Sequence, residues 1–443
     1  YARFLVFSSN EWKSNNYHLW LNVLSEQDAK NQSLRQDLNI QQKMLLSAVG
    51  DSLHQAVVSN VDTVDFDADA TLYRKTDTLV DGGLYTGVFV YSTNKNEAKY
   101  RPGFSFVGEN KGNYHKMKSA ANGQAFEWIA PVNGIPQGSY EPVSQLVSPK
   151  KKQIITLGGK RVWNKKNTAS FEIGLSNYDL NTFSTLHDND NIGIAGRMKW
   201  QRENYSADSS RRSRVWTHYR FVHQNFSAIE DFRDIEFKRN WNIKNRYDGK
   251  TENAVSLGFL YQEKKHYSAA YQLEYLSRQA VYQGIKNSFS GFYSYRTYKI
   301  NANVSLVNSK DTEHISQFLT HQIEASKHWK NIKTGIREYS ETNRLVSAGN
   351  LAGSSFRFNE WELFLENTDS TENQYSLHYK NRNDFVPLNH KLKKSTQSHE
   401  ISGKLAWLSN KKHQADVVFT FRNIDVSDTM LIDDEITAYL GNN

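Results

Sequence analysis

Cysteine is absent from the 443 residues. That removes disulfides, thiolate metal sites and cysteine nucleophiles, and it suits an envelope protein that crosses an oxidising space. Proline is scarce: six residues, all between 102 and 149 except Pro387. No apolar run reaches the roughly 18 residues that a transmembrane helix needs, so that class is excluded. The mean hydropathy of −0.71 does not exclude a transmembrane barrel, whose polar lumen face lowers the average. Catalytic signatures are missing too: there is no H-E-x-x-H, no G-x-S-x-G and no phosphate loop. Gly108-Glu-Asn-Lys-Gly112 is too sparse for a phosphate loop and lacks the Lys-Ser/Thr ending.

Aromatic residues are plentiful instead, at 13% of the chain, with 24 Tyr, 23 Phe and 10 Trp. Net charge is +8 and the pI about 9.1. Nucleic acid or anionic lipid could answer such a charge. The basic residues are scattered, however, with small clusters only at Arg211, Arg212 and Arg214 and at Lys150, Lys151 and Lys152. Solvated turns account for them without a nucleic-acid partner.

From about 165 to 425 one pattern repeats. Tyr267, Ala269, Tyr271, Leu273 and Tyr275 alternate with Ser268, Ala270, Gln272 and Glu274. Tyr298, Ile300, Ala302, Val304 and Leu306 alternate with Lys299, Asn301, Asn303 and Ser305. Phe171-Ile173-Leu175, Ile192-Ile194, Val255-Leu257-Phe259, Trp361-Leu363-Leu365, Tyr375-Leu377-Tyr379, Ile401-Leu405 and Val417-Phe419-Phe421 behave alike. A period of two gives each set its own strand face. The pattern predicts about a dozen to fourteen strands joined as hairpins. Turns are expected at Asp248-Gly-Lys250, Asn308-Ser-Lys-Asp311 and Asn367-Thr-Asp-Ser370. No fixed-period repeat points to a solenoid or propeller. The oily faces must leave water, for lipid or for a second protein layer. Lysines and glutamates on the other face would line a lumen or a solvated surface, and closure would remove free sheet edges.

Earlier residues read differently. Phe4-Leu5-Val6-Phe7 suggests a strand, and helical spacing of Leu34, Leu38, Met44, Leu45, Val49, Leu53 and Val57 predicts a helix from Ser25 to about Ser59, weakened at Gly50. Leu84 to Tyr91, apolar on both faces after the Gly82-Gly83 turn signal, predicts a buried sandwich strand. A boundary is expected near 145–160, giving a mixed, mostly β domain at 1–150 and amphipathic barrel-like strands at 151–443. The chain opens on Tyr1 rather than methionine and closes without a terminal aromatic residue. It reads as a segment of a longer, processed polypeptide.

Three acidic groups are candidates for chemistry. Asp65, Asp67 and Asp69 start like a calcium loop, but Ala70 and Thr76 stand where Gly and Glu are needed. His187-Asp188-Asn-Asp190-Asn191 could offer oxygen ligands to a cation, yet a polar turn needs no ion. Glu360, Glu362 and Glu366 could supply the carboxylate pair of a glycosidase, with simple solvation on a lumen face as the plainer reading. No catalytic, cofactor-binding or metal residue is therefore assigned, and no cofactor.

One set of markers carries a resemblance. Gly108 to Gly112, Tyr114, Asn122-Gly123, Glu127-Trp128, Pro131-Val-Asn-Gly134, Gln137-Gly138 and Tyr140-Glu-Pro-Val143 come first. Leu146, Pro149-Lys-Lys-Lys152, Gln153, Gly158, Glu172, Ser176, Asp179, Asn181, Phe183-Ser184, Asp190-Asn191 and Gly193 follow. Together they resemble the Plug-type subunit of the type 9 secretion translocon of Bacteroidota, over residues 70–200 only. The resemblance implies an envelope location, at the outer membrane and its periplasmic face. It also implies partnership with the giant translocon barrel and its accessory subunits.

The sequence thus predicts an all-β, mainly antiparallel protein: an N-terminal β-rich domain with a helix, then a large amphipathic antiparallel β-structure, an outer-membrane barrel or part of one. The expected function is non-enzymatic, a steric gate or plug in an outer-membrane export assembly, with membrane lipid and the translocon as partners. The alternatives are a stand-alone outer-membrane β-barrel channel or transporter, with Lys299, Glu274 and Arg296 lining the lumen, and a glycan-active β-enzyme.

Overall fold

Strands of alternating aromatic, β-branched and polar residues do form, and they pair in sequence order. A computed structural model of the protein describes residues 3–30, 37–80, 82–117, 123–164, 166–230, 233–243, 248–264, 266–367, 374–409 and 413–427. The strands β1 (Arg3–Lys13) and β2 (Tyr17–Asp28) open the chain, followed by helix α1 (Ile40–Val49). Ten short strands come next: β3 (Val57–Ser59), β4 (Val61–Thr63), β5 (Tyr73–Val80), β6 (Gly83–Tyr91), β7 (Tyr100–Pro102), β8 (Ser105–Phe106), β9 (Tyr114–Lys116), β10 (Phe126–Trp128), β11 (Tyr140–Glu141) and β12 (Val143–Gln145). The long strands are β13 (Lys151–Trp163), β14 (Asn167–Asp179), β15 (Ile192–Tyr205), β16 (Arg211–Val222), β17 (Glu252–Glu263), β18 (Tyr267–Arg278), β19 (Tyr282–Tyr295), β20 (Tyr298–Asp311), β21 (Ile315–Trp329) and β22 (Ile332–Ser347). After the two-residue β23 (Asn350–Leu351) come β24 (Phe356–Asn367), β25 (Gln374–Leu388), β26 (Lys391–Ser409) and β27 (His413–Val426). A short helix, α2 (Phe237–Asn240), lies between β16 and β17.

Contacts divide the chain into two units. One comprises Tyr1–Ser8, Val23–Ile154 and Ser176–Ile192; the other comprises Ser9–Asn22, Ile155–Leu175 and Gly193–Asn443. β13 begins at Lys151, and the first unit extends through Ile154. The 17-stranded antiparallel sheet nevertheless also takes in β1 and β2 from the chain's beginning, β2 pairing with both β1 and β13. From β15 to β27 the sheet is a meander of antiparallel neighbours. Among the described residues fourteen strands, the two-residue β23 included, lie between 165 and 427, at the top of the predicted range.

The first unit has ordinary cores. Tyr73, Phe89, Tyr114 and Phe126 are buried together. Their phenols are satisfied: Phe126 N donates to Tyr73 Oη (2.8 Å) and Phe89 N to Tyr114 Oη (3.0 Å). Burial pushes the Tyr114 phenol up to about 12. A second cluster joins Leu46 of α1 to Ala56 and Leu146. Asn181 Nδ2 donates to the carbonyls of Leu46 (2.8 Å) and Gly50 (2.7 Å), tying down the end of α1.

Three local expectations need correction. The helix does not fill Ser25 to Ser59. Ser25–Asp28 completes β2, α1 begins at the Asn39–Gln42 capping box, and Gly50 at φ 58° ends it. Val57 and Val58 then favour strand over helix; residues 31–36 lie outside the described set. The second correction concerns β6, which is only half buried: Val88 and Phe89 are inside while Leu84 is exposed. A register shift opposite Thr76–Thr78 and Gly87 at φ 72° mark where the strand turns its faces. Third, Asn308–Asp311 is not a turn but the end of β20, paired to β19 through Asp311. Asp311 accepts from Glu313 N and His314 N (2.7 Å each), so the reversal starts after it.

Burial holds the Glu141 carboxyl above the ordinary carboxylate range, against the pull of hydrogen bonds from Asn113. Its contribution to stability is therefore complete below an ordinary pKa of about 4 and is lost as pH rises through the raised value. Glu141→Gln should flatten that loss. Urea unfolding midpoints taken on both sides of the transition check this, and an unchanged pH profile would count against it.

Candidate functional site: the polar face of the long sheet

The partition of side chains along the long strands is inverted relative to a soluble protein. On β14, Ile173 is 46% exposed while Ser176 is 1% exposed. On β17, Leu257 is 52% exposed and Ser256 8%. Phe259, Tyr271, Leu273, Ile285, Phe289, Ile300, Ile323, Ile336, Leu363, Leu377 and Ile401 are likewise exposed. The opposite face, called inner here, carries Glu252, Arg278, Ser309, Ser316 and Glu341, all buried.

What covers the inner face is the connection between β16 and β17. It leaves β16 with His223 N donating to Ile194 O (2.9 Å) and runs close over Gly193. A Cβ on Gly193 would lie 2.2 Å from Phe226 N, so only glycine admits the crossing. The segment then plants Trp241 and Ile243 among Leu276, Tyr282, Val307 and Phe318. Tyr282 Oη donates to Trp241 O (2.5 Å). Asn242 Nδ2 reaches Asn343 Oδ1 (3.0 Å) and Ser316 Oγ (3.2 Å), and Arg239 pairs with Glu341. Anchors on β18 through β22 thus hold one peptide segment flat against the polar wall.

The wall neutralises its own charges. Glu252, 1% exposed, meets three arginines: Arg233 (2.8 Å), Arg278 (3.0 Å) and Arg220 (3.1 Å). Arg278 also meets Asp248 at 3.2 Å. Farther on, Arg337 bridges Glu324 (2.9 Å), Glu366 (2.8 Å) and Glu362 (3.5 Å), with its guanidinium 3.9 Å from the Phe364 ring centre. Glu362 also meets His378 at 2.5 Å, and Glu360 meets Lys380 at 3.6 Å and Arg382 at 3.8 Å. The suspected Glu360–Glu362 pair does share the inner face, but each carboxylate is spent on cations rather than held ready for acid–base work. Close aromatic packing also shapes this wall. Trp216 lies across Gly258, its register partner, where a Cβ would sit 2.1 Å from the indole.

Of the lumen residues expected from sequence, Glu274 lies on the inner face, 3.8 Å from Lys286, and Lys299 shares that face. Arg296 does not: it sits at φ 54° in the reversal between β19 and β20, over the Tyr295 ring at 5.3 Å. Asp65, Asp67 and Asp69 lie in a loop where Asp69 N donates to Asp67 Oδ1 (2.9 Å), a side-chain-capped turn. Asp188 and Asp190 stand in a single 3-10 turn, with Asp188 accepting from Asn191 Nδ2 (3.0 Å). Burial and the nearby Asp190, Asp179 and Asp188 push the Asp51 carboxyl up. No group of three or more metal-ligating side chains occurs among the described residues. Arg212 pairs with Glu203 (2.6 Å) and Arg211 with Glu263 (3.8 Å), so that basic cluster is largely engaged.

No family model and no curated protein sequence matches the chain. Among solved structures it is similar to OccAB3 of Acinetobacter baumannii, at 12% identity and a TM-score of 0.30. It is similar also to OccAB4 of the same organism, at 10% identity and a TM-score of 0.28. Each likeness covers 63% of this chain and 88% of the other. Likenesses this faint carry no weight beside the side-chain partition.

Removing the carboxylate from the buried Glu252 node leaves three guanidinium groups facing one another. Loss of one partner of such a buried group costs about 3–5 kcal/mol. Glu252→Ala should lower the urea unfolding midpoint accordingly, and Arg211→Ala, at an exposed pair, should move it by less than about 1 kcal/mol. Equal shifts for the two variants would refute the assignment of the node.

Proposed function

We propose that the long-stranded unit crosses a bacterial outer membrane as a β-barrel and works as a channel, narrowed from within by the segment between β16 and β17. One observation carries this: apolar residues exposed and polar residues buried on the same strands, element after element. Burying an exposed Leu or Phe is worth about 1.5–3 kcal/mol, and dozens of exposed apolar side chains in water are untenable. Lipid on the outside resolves the inversion, and ion pairing on the inside lets the polar face close on itself.

The ends of the strands support the same reading. β19 and β20 are joined by two residues, 296–297, and β21 and β22 by two, 330–331; the opposite ends carry some short reversals, such as 279–281 and 312–314, but also the longest connection, 223–251. Near the short reversals stand exposed Tyr267, Tyr293, Tyr295, Tyr298 and Trp329. Cations accompany them: Lys327 is 5.0 Å from the Tyr298 ring centre and 4.8 Å from that of Trp329, and Arg161 is 5.0 Å from that of Tyr17. Aromatic rings beside cations suit the headgroup level of a bilayer, and short turns are the periplasmic ends of bacterial barrels.

Between the plug and the stand-alone channel offered by the sequence, this geometry supports the channel more than the plug. A steric plug needs a surface shaped to another channel's mouth, whereas these residues build and line a wall of their own. The paired carboxylates support a non-enzymatic role. Purification from native membranes separates the readings. A lone detergent-requiring barrel that conducts ions supports the channel; stoichiometric association with a very large barrel supports the plug. A chain that stays soluble and monomeric without detergent would defeat the membrane assignment.

Leu257→Arg places a charge on the lipid side and should cost about 2–4 kcal/mol of stability in phospholipid vesicles. Asn301→Arg, on the inner face, should cost less than about 1 kcal/mol. Unfolding in urea from vesicles measures both, and a reversed order would show the faces to be misassigned.

A further inference from the structure

We infer that the solute is neutral and polyhydroxylated, an oligosaccharide rather than an ion; the inference rests on the channel reading. It comes from what the inner face leaves unpaired. Register places two adjacent rows across β18 to β21. The first is Gln272–Ser288–Ser305–Thr320, and the second is Ser290–Asn303–Gln322. These seven side chains are all neutral, and all both donate and accept. No hydrogen bond joins any of them to another described side chain, although charged residues on the flanking strands are engaged in ion pairs. Together with α2 they line a cavity of about 460 Å³.

The margins of the cavity fit the same ligand. The first row continues through Gly258 to Trp216 on one side and to Glu341 on the other; the second reaches Tyr339. Trp216 and Tyr339 both line the cavity and can take the apolar ring faces of a sugar. The cation of the cavity, Arg239, is committed to Glu341 and to Glu236 (3.3 Å). An anion entering here would find hydroxyls and amides but no uncommitted guanidinium, whereas a polyol would find a partner for each hydroxyl it strips of water.

The test uses the full chain in planar bilayers, with maltohexaose as probe and its conductance block as readout. Maltohexaose should interrupt the ion current in a concentration-dependent way, and inorganic phosphate at equal concentration should not. The double variant Gln272→Leu, Ser290→Ala should still conduct but need about tenfold more maltohexaose for half block. Thr320→Ser, which keeps the hydroxyl, should behave as the parent and guards against a folding defect. Conductance with no sugar block, or stronger block by phosphate, overturns the solute class and leaves the channel standing. Absence of conductance in the parent overturns both readings.

Discussion

A strand has two faces, and in the long sheet of this protein neither faces an ordinary core. That constraint organises the rest. The apolar set, including Ile173, Leu257, Leu273 and Leu363, is exposed, so the polar set is left with the interior. A soluble sheet protein solves the hydrophobic problem by folding oily faces together. Here that solution is replaced by a polar interior that must satisfy itself, since a buried charge without a partner costs several kcal/mol.

The inner face meets that demand with two different chemistries. Around Glu252 and around Arg337, charges are gathered into compact groups in which each cation serves more than one carboxylate or the reverse. Grouping lets each ordered side chain make several contacts, which reduces the entropy lost per contact. On β18 to β21 there are instead neutral amides and hydroxyls. Hydroxyls and amides tolerate water, and so need no partner built into the wall. The inner face is therefore rigid where it is charged and open to water where it is neutral. The peptide between β16 and β17 is fastened at both kinds of boundary, by Trp241 in an apolar pocket and by Arg239 on Glu341.

The alternation was legible in the sequence because a period of two is local: five or six residues reveal it. Which face turns outward was legible only through the argument that lysines cannot meet lipid, and burial agrees with it strand by strand. Errors arose where a longer-range contact outvoted local pattern. Ser25–Asp28 carries helix-compatible residues, yet pairing in the sheet extends β2 through them. Arg296 was expected in the lumen, but the chain reverses at that position. The inward segment was missed, although two signals announced it. Its connection, 223–251, is unusually long, and three apolar residues break the polar set on adjacent strands: Leu276, Val307 and Phe318. Taken strand by strand, each is an isolated break in the alternation. Only the register of β18 to β21 shows that they meet, and that Trp241 lands on them.

The two units of the chain partition the same residue types in opposite ways, and this bears on how the composition should be read. Tyr73, Phe89, Tyr114 and Phe126 are buried, with the tyrosine oxygens hydrogen-bonded to backbone amides. Tyr267, Tyr271, Tyr275, Tyr293 and Tyr298 are exposed on the long strands. A tyrosine is indifferent between these settings so long as its ring leaves water and its hydroxyl finds a partner. A protein core and a bilayer interface both provide that. An average such as mean hydropathy therefore merges two solvents into one number, and aromatic abundance alone cannot separate them. The separation lies in what accompanies the aromatic residues: apolar neighbours buried with them in the first unit, and an opposite face in the second that is polar apart from a few residues such as Leu276, Val307 and Phe318. The strand's second face, not its first, separates the two settings.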